Sequence, residues 1–246
     1  MNPRAMAAIG LAAYLLGIIA IAPASLIDAG LQVWADGRLR LVDARGTLWS
    51  GSGRIEFRDP AGNRGVAEGL AWRLVPASLL SGRLDYVVDM SRAPRPFPVR
   101  ISRAGLELAD AEVALPAAVF GLVLPRLAPL GLSGNALLQI TTISISPERF
   151  QGKATLKWRE AGSALTPIAP LGDYELRLDA EAAGVRLSLH TLAGPLQLDG
   201  GGFWVEGGAG SFQVLAQVPL QYRQQLGPLL GLVAVEHSAG NFTLNL

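Results

Sequence analysis

From residue 83 onward the chain keeps returning to a strict alternation of apolar and polar side chains. Within residues 83–90, Leu84, Tyr86, Val88 and Met90 fall on one side, with Arg83, Asp85 and Asp89 on the other. Ala154, Leu156 and Trp158 oppose Thr155, Lys157 and Arg159, and Tyr174, Leu176 and Leu178 oppose Asp173, Glu175, Arg177 and Asp179. Val185, Leu187 and Leu189 repeat the pattern, as do Phe212, Val214, Ala216 and Val218, and Phe242, Leu244 and Leu246. Successive strand side chains point to opposite faces, so each segment predicts a strand with one dry and one wet face, as antiparallel sheets allow. Many of the 29 glycines fall between these runs, as at Gly200-Gly201-Gly202 and Gly207-Gly208, where turns and bulges use them. Two Leu-rich stretches break the alternation, near 116–130 and 219–232. Each opens at a proline, Pro116 and Pro219, and predicts a brief helix.

Those stretches suggest an internal repeat. Leu115-Pro116 leads through Leu124-Pro125 and Gly131 to residues 134–140, and Val218-Pro219 leads through Gly227-Pro228 and Gly231 to residues 240–246. Upstream, Trp72-Arg73 followed by Asp85-Tyr86 echoes Trp158-Arg159 followed by Asp173-Tyr174. The reading is two related halves, 40–140 and 148–246, forming one continuous antiparallel sheet or two packed sheets. About a dozen strands are too many for an open sheet to stay flat, so it should curl or split. The expected fold class is mainly β: one N-terminal transmembrane helix, then a large curved sheet from two related halves with short helices.

The helix expectation rests on residues 5–24, twenty consecutive residues without a charge. At 1.5 Å per residue such a run spans about 30 Å, the thickness of a bilayer's hydrocarbon core. A cleaved export signal is the competing reading, since Ala22-Pro23-Ala24 has the small-x-small form and Arg4 precedes the run. The run exceeds the usual length of about 7–15 residues for a signal core, and proline suits the cleavage position poorly, so retention is favoured. The division is then a membrane anchor over 1–27 and a β-rich domain over 28–246, placed beyond the membrane in either case. Trp34, close behind the anchor, is a candidate for the membrane interface.

Chemistry is sparse. Without cysteine the chain has no disulfide, thiolate metal ligand or cysteine nucleophile. His190 sits on the polar side of its strand, and His237 lies beside a turn with Glu236 and Ser238 as neighbours. Adjacent residues of an extended chain point apart, so these three make no triad. No nucleophile elbow, P-loop or H-E-x-x-H occurs, and Gly51-Ser52-Gly53 does not continue as a dinucleotide fingerprint. The expectation is no enzyme, no catalytic, cofactor-binding or metal-binding residue, and no cofactor. Net charge is +1, which gives no field for nucleic acid. Residues 38–126 hold 13 Arg against 9 acidic residues, whereas 127–246 hold 7 basic against 9 acidic. Trp49, Trp72 and Trp158 read as core, Asn241-Phe242-Thr243 as a chance glycosylation sequon, and the basic, proline-rich 92–98 segment as a connection rather than a docking strip.

The block Arg45-Gly46-Thr47-Leu48-Trp49-Ser50-Gly51-Ser52-Gly53 follows the anchor. Next comes Leu70-Ala71-Trp72-Arg73-Leu74-Val75-Pro76-Ala77-Ser78-Leu79-Leu80-Ser81-Gly82-Arg83-Leu84. With the proline-led helix and the closing G-x-x-x-L pattern, this arrangement resembles the protein N family of the bacterial type II secretion system. The resemblance implies a single-pass inner-membrane protein, N-terminus cytoplasmic and bulk periplasmic, accessory to the export of folded proteins across the outer membrane. It carries no catalytic residue. Its expected partners are other secretion components and, through the N-terminal helix, the lipid bilayer. A more distant resemblance to AsmA-like proteins supplies the alternative, a lipid-binding or lipid-transfer trough sheltering phospholipid, with Leu84, Tyr86, Val88, Leu176, Leu178, Leu187 and Leu189 lining its inside. An exported hydrolase rests on compartment alone.

Overall fold

The computed structural model of the chain describes Met6, Gly10, Tyr14 and residues 17–58, 64–205, 210–233, 235–238 and 241–245. Fourteen strands form a single antiparallel sheet whose spatial order follows the chain, except that the last two exchange places. They are β1 Leu39–Gly46, β2 Ser50–Arg58, β3 Arg64–Leu74, β4 Leu84–Met90, β5 Phe97–Ser102, β6 Gly105–Pro116 and β7 Leu132–Ile145. Then come β8 Phe150–Ser163, β9 Gly172–Glu181, β10 Gly184–Ala193, β11 Gln197–Trp204, β12 Ser211–Gln217, β13 Val235–Ser238 and β14 Asn241–Asn245. The helices with described boundaries are α1 Ser25–Trp34, α2 Val119–Val123 and α3 Arg223–Val233. In such a meander the odd-to-even turns of β1–β10 lie at one end. We call it the near end (47–49, 75–83, 103–104, 146–149, 182–183), and the other, which carries α2 and α3, the far end.

The sheet curls rather than splits. Phe120 of α2 meets Trp158 of β8 edge-on, with ring centroids 5.5 Å apart, while Leu122 lies against Gly65 of β3. In a flat sheet β3 and β8 would stand about 24 Å apart at 4.8 Å per strand, far beyond a five-residue helix about 7.5 Å long. Bulges help the bending: register shifts between Val42 and Arg45 and between Trp158 and Ala161 enclose Asp43 and Glu160, both at positive φ. Proline-led helix formation holds as expected from sequence. Pro116, however, closes β6 and α2 starts three residues later, whereas Pro219 directly precedes a 3-10 turn, Leu220–Tyr222. Gly131, at φ 54°, ends the 3-10 turn Pro125–Leu130 and lets the chain double back into β7.

Helix α1 is a difference from the sequence reading. Residues 25–27, read as the end of the anchor, open this helix, whose Ile27 and Leu31 pack with Ala24 on Leu41, Trp72, Leu74 and Tyr86. It runs back along β1, from Gly46, whose carbonyl accepts the Ala24 N–H, toward the far end. Trp34 ends α1, about 14 Å by helical rise from Ser25. Asp28 clasps the two elements: its carboxylate accepts from Arg40 Nε and Nη2 (both 3.0 Å), from Leu41 N–H (2.8 Å) and from Gln32 Nε2 (2.7 Å). Burial alone would raise the Asp28 pKa, but these donors outweigh it and hold the carboxyl below its ordinary value.

Most of the postulated anchor lies outside the described residues. Met6, Gly10, Tyr14 and residues 17–20 are helical and exposed. Among the described residues no helix is long and apolar enough to cross a membrane. The run's end is fastened to the near end, where Leu48 N–H donates to Ala22 O (2.8 Å) and Trp49 Nε1–H to Ile19 O (2.8 Å).

Leu226 of α3 is fully enclosed among Leu130, Tyr174, Leu196 and Val218. Leu226→Ala should cost about 2–5 kcal/mol through lost burial and the cavity left behind, read as a lower denaturation midpoint of the detergent-extracted chain. The contribution of Asp28 should be complete above the free-aspartate value of about 3.9 and vanish as pH falls through its lower native value. Asp28→Asn should remove that part of the acid limb, measured as stability against pH for both proteins.

Candidate functional site

The register puts the apolar set on one face. Leu84 stands opposite Ile101 and Tyr86 opposite Val99, while Phe97 faces Val88. Further along, Leu156–Leu176–Leu189 and Ala154–Leu178–Leu187 form continuous rows across β8, β9 and β10. The seven residues read from sequence as a trough lining therefore share one side of the sheet, its concave side, where the three helices pack.

Cover on that side is uneven. α1 closes the near half of β1–β4 around Trp72 and Tyr86. α3 and the 3-10 turn Pro125–Leu130 close the far half of β8–β12, with Leu226 and Leu229 against Ala216, Leu198 and Leu189. Between them Phe97, Ala111, Val113 and Ile140 make a third cluster. Leu156, Leu176, Leu178, Val185 and Leu187 belong to none of the three and stay half-buried, beneath no helix among the described residues. This leaves an apolar strip on the near-end half of β8–β10.

Trp72 and Trp158 are structural. Trp72 is buried and donates Nε1–H to Thr47 O (3.1 Å), and its ring covers Gly51, where a Cβ would lie 2.6 Å from Cζ2. Trp158 donates to Ser133 O (2.9 Å) and tilts against Tyr174, centroids 5.7 Å apart. Tyr174 donates its hydroxyl to Leu196 O (2.9 Å), and burial pushes that phenol far above its usual pKa, so it is a neutral donor throughout the ordinary range. Trp49 is half-buried beside the same turn.

One charged pair interrupts the apolar face, and the sequence reading missed it. Glu68, only 3% exposed, shares the face of Ile55, and Arg92 Nη1 stands 2.9 Å from its Oε1 without a well-aligned hydrogen bond. Arg92 also accepts the Ala114 N–H at its carbonyl, and Ala93 donates to Met90 O. The start of the 92–98 segment is thus stitched to β3, β4 and β6, as a connection would be.

The convex face is a lattice of exposed charges. Arg100 bridges Asp85 (3.0 Å) and Glu107 (3.1 Å), and Lys153 reaches Asp179 (3.2 Å). Exposed pairs of this kind contribute roughly 0–1 kcal/mol each. His190 lies here as expected, exposed, its Nδ1 3.1 Å from Asp199. The side chain of His237 lies outside the described residues. Among the described residues no three potential ligands cluster for a metal. An open cleft of about 800 Å³, lined by Leu192, Asp199, Gly201, Gln213, Leu215 and Gln217, indents this face where Gly201 contributes no side chain.

The sheet edges differ. At β1 the outward Leu41 N–H is taken by Asp28, and residues 22–24 bond to 46–48. β13 forms the other edge, paired with β14 alone among the described residues. Exposed backbone edges are the places where extended partners add.

No curated protein and no solved structure matches the chain. The family model for the type II secretion system (T2SS), protein N, matches residues 37–245, from just before β1 to the last residue of β14. That match takes in the whole sheet, and with it the Trp72 and Trp158 anchoring and the helix-closed concave face. The chain is therefore a member of the type II secretion system protein N family.

Proposed function

We propose that the chain is a non-enzymatic accessory component of the type II secretion machinery, supporting protein export across the outer membrane. In this reading the apolar leader ahead of α1 tethers it to the inner membrane, N-terminus cytoplasmic, and the sheet works in the periplasm by contacting other secretion components. The family match carries the proposal. The contrast between the occupied β1 edge and the β13 edge supports pairing through the latter, with main-chain hydrogen bonds giving affinity. The fabric is two related halves, 40–140 and 148–246. Trp72 and Trp158 support this, since each donates its indole N–H to a carbonyl 25 residues upstream.

A photoreactive residue at position 236 of β13, in intact cells, should yield adducts with secretion components. The same residue at position 92 should yield none. Deleting the protein should depress secretion; normal secretion without adducts at 236 would remove the reading.

A second reading, a trough holding phospholipid, is favoured by the strip Leu156, Leu176, Leu178, Val185 and Leu187, which no helix covers among the described residues. Native mass spectrometry of the detergent-extracted chain should then show co-purified phospholipid, lost in Leu178→Asp. A bare mass in the unsubstituted chain would exclude the trough.

A further inference from the structure

The near end of the sheet is built unlike a water-facing set of turns. Leu80 is 94% exposed, with exposed Leu79 beside it, in the 3-10 turn Pro76–Ser81. This turn is held firmly: Ser78 Oγ donates to Val75 O (2.7 Å) and accepts the Asp85 N–H (3.1 Å). The leucines are therefore presented outward by a fixed backbone. Phe150, at the start of β8, is also exposed at this end. The turns 75–83, 103–104 and 146–149 carry exposed Arg83, Arg103 and Arg149 against a single acid, Glu148. The apolar leader is fastened to the same end through Ile19 O and Ala22 O.

From this placement we infer that the near-end turns seat on the surface of an anionic bilayer, with Leu79, Leu80 and Phe150 entering the headgroup–acyl boundary and the three arginines meeting lipid phosphates. Apolar tips flanked by cations are what such a boundary accommodates. The inference rests on the anchored reading above. A tether leaving from this end brings the near-end turns, rather than those of the far end, against the membrane. The uncovered strip on β8–β10 then opens toward lipid.

The chain's lack of cysteine makes the test direct. Single variants Leu80→Cys, Phe150→Cys, Ile18→Cys and, at the far end, Leu220→Cys carry an environment-sensitive fluorophore. Each full-length protein is placed in nanodiscs of phosphatidylcholine and phosphatidylglycerol containing nitroxide-labelled lipid. Quenching is expected at 80, 150 and 18, and none at 220. In anionic discs each Arg→Gln change at 83, 103 or 149 should weaken seating at 80 by about fivefold, with little effect in phosphatidylcholine alone. Quenching at 18 without quenching at 80 and 150 overturns the seating and leaves the anchor. Quenching at 80 and 150 without 18 keeps the seating and removes the anchor. A blue shift at 80 without quenching means a protein, such as a second copy, covers these leucines, and it overturns the inference.

Discussion

Everything in this structure follows from the need to keep one face of a fourteen-stranded sheet out of water. Alternation places Leu, Val, Tyr and Trp on that face along nearly every strand, and an open sheet would expose all of them. Burial of apolar area at roughly 25 cal/mol per Å² makes such exposure intolerable, and helices as short as α1, α2 and α3 cannot roof so wide a surface. Curvature supplies the difference. By bending until α2 reaches from Trp158 on β8 to Gly65 on β3, the sheet narrows the face that needs cover, and the helices close two opposite quarters. What stays half-covered is the strip around Leu178 and Leu187, whose exposure is a consequence of where α1 and α3 dock.

The same constraint explains what could be read from the residues alone. Strand faces were legible because side chains alternate with the pleat, and one buried side writes that period into the sequence. All seven residues from Leu84 to Leu189 named as a lining share one face for this reason. Curling was legible from strand number. Helix α1 was not: its Leu26, Ile27, Leu31 and Val33 continue the apolar character of the leader, and no side chain caps its start. Only Pro23 marks the break, and the partner that distinguishes Asp28, Arg40, lies 12 residues away on β1.

Glu68 was hidden for a similar reason. An acid at one inward position between Gly65 and Leu70 reads as an irregularity, and Arg92, which makes it tolerable, belongs to a loop 24 positions later. Burying a carboxylate away from water is expensive unless a cation accompanies it. Arg92 is thereby fixed in place, and the loop that carries it loses the freedom its composition suggested. The near-end turns escaped notice because Leu79 and Leu80 look like core residues in sequence. Only the hydrogen-bonded geometry around Ser78 turns them outward.

The inequality of the sheet's two margins sets a stoichiometry. A strand added beside β13 would extend the ladder by its own width, whereas at the opposite margin Asp28 already takes the Leu41 N–H and residues 22–24 already bond to 46–48. Head-to-tail growth needs two open sides, and filaments arise when both exist. A molecule whose two flanks differ in this way favours joining a pair over continued growth.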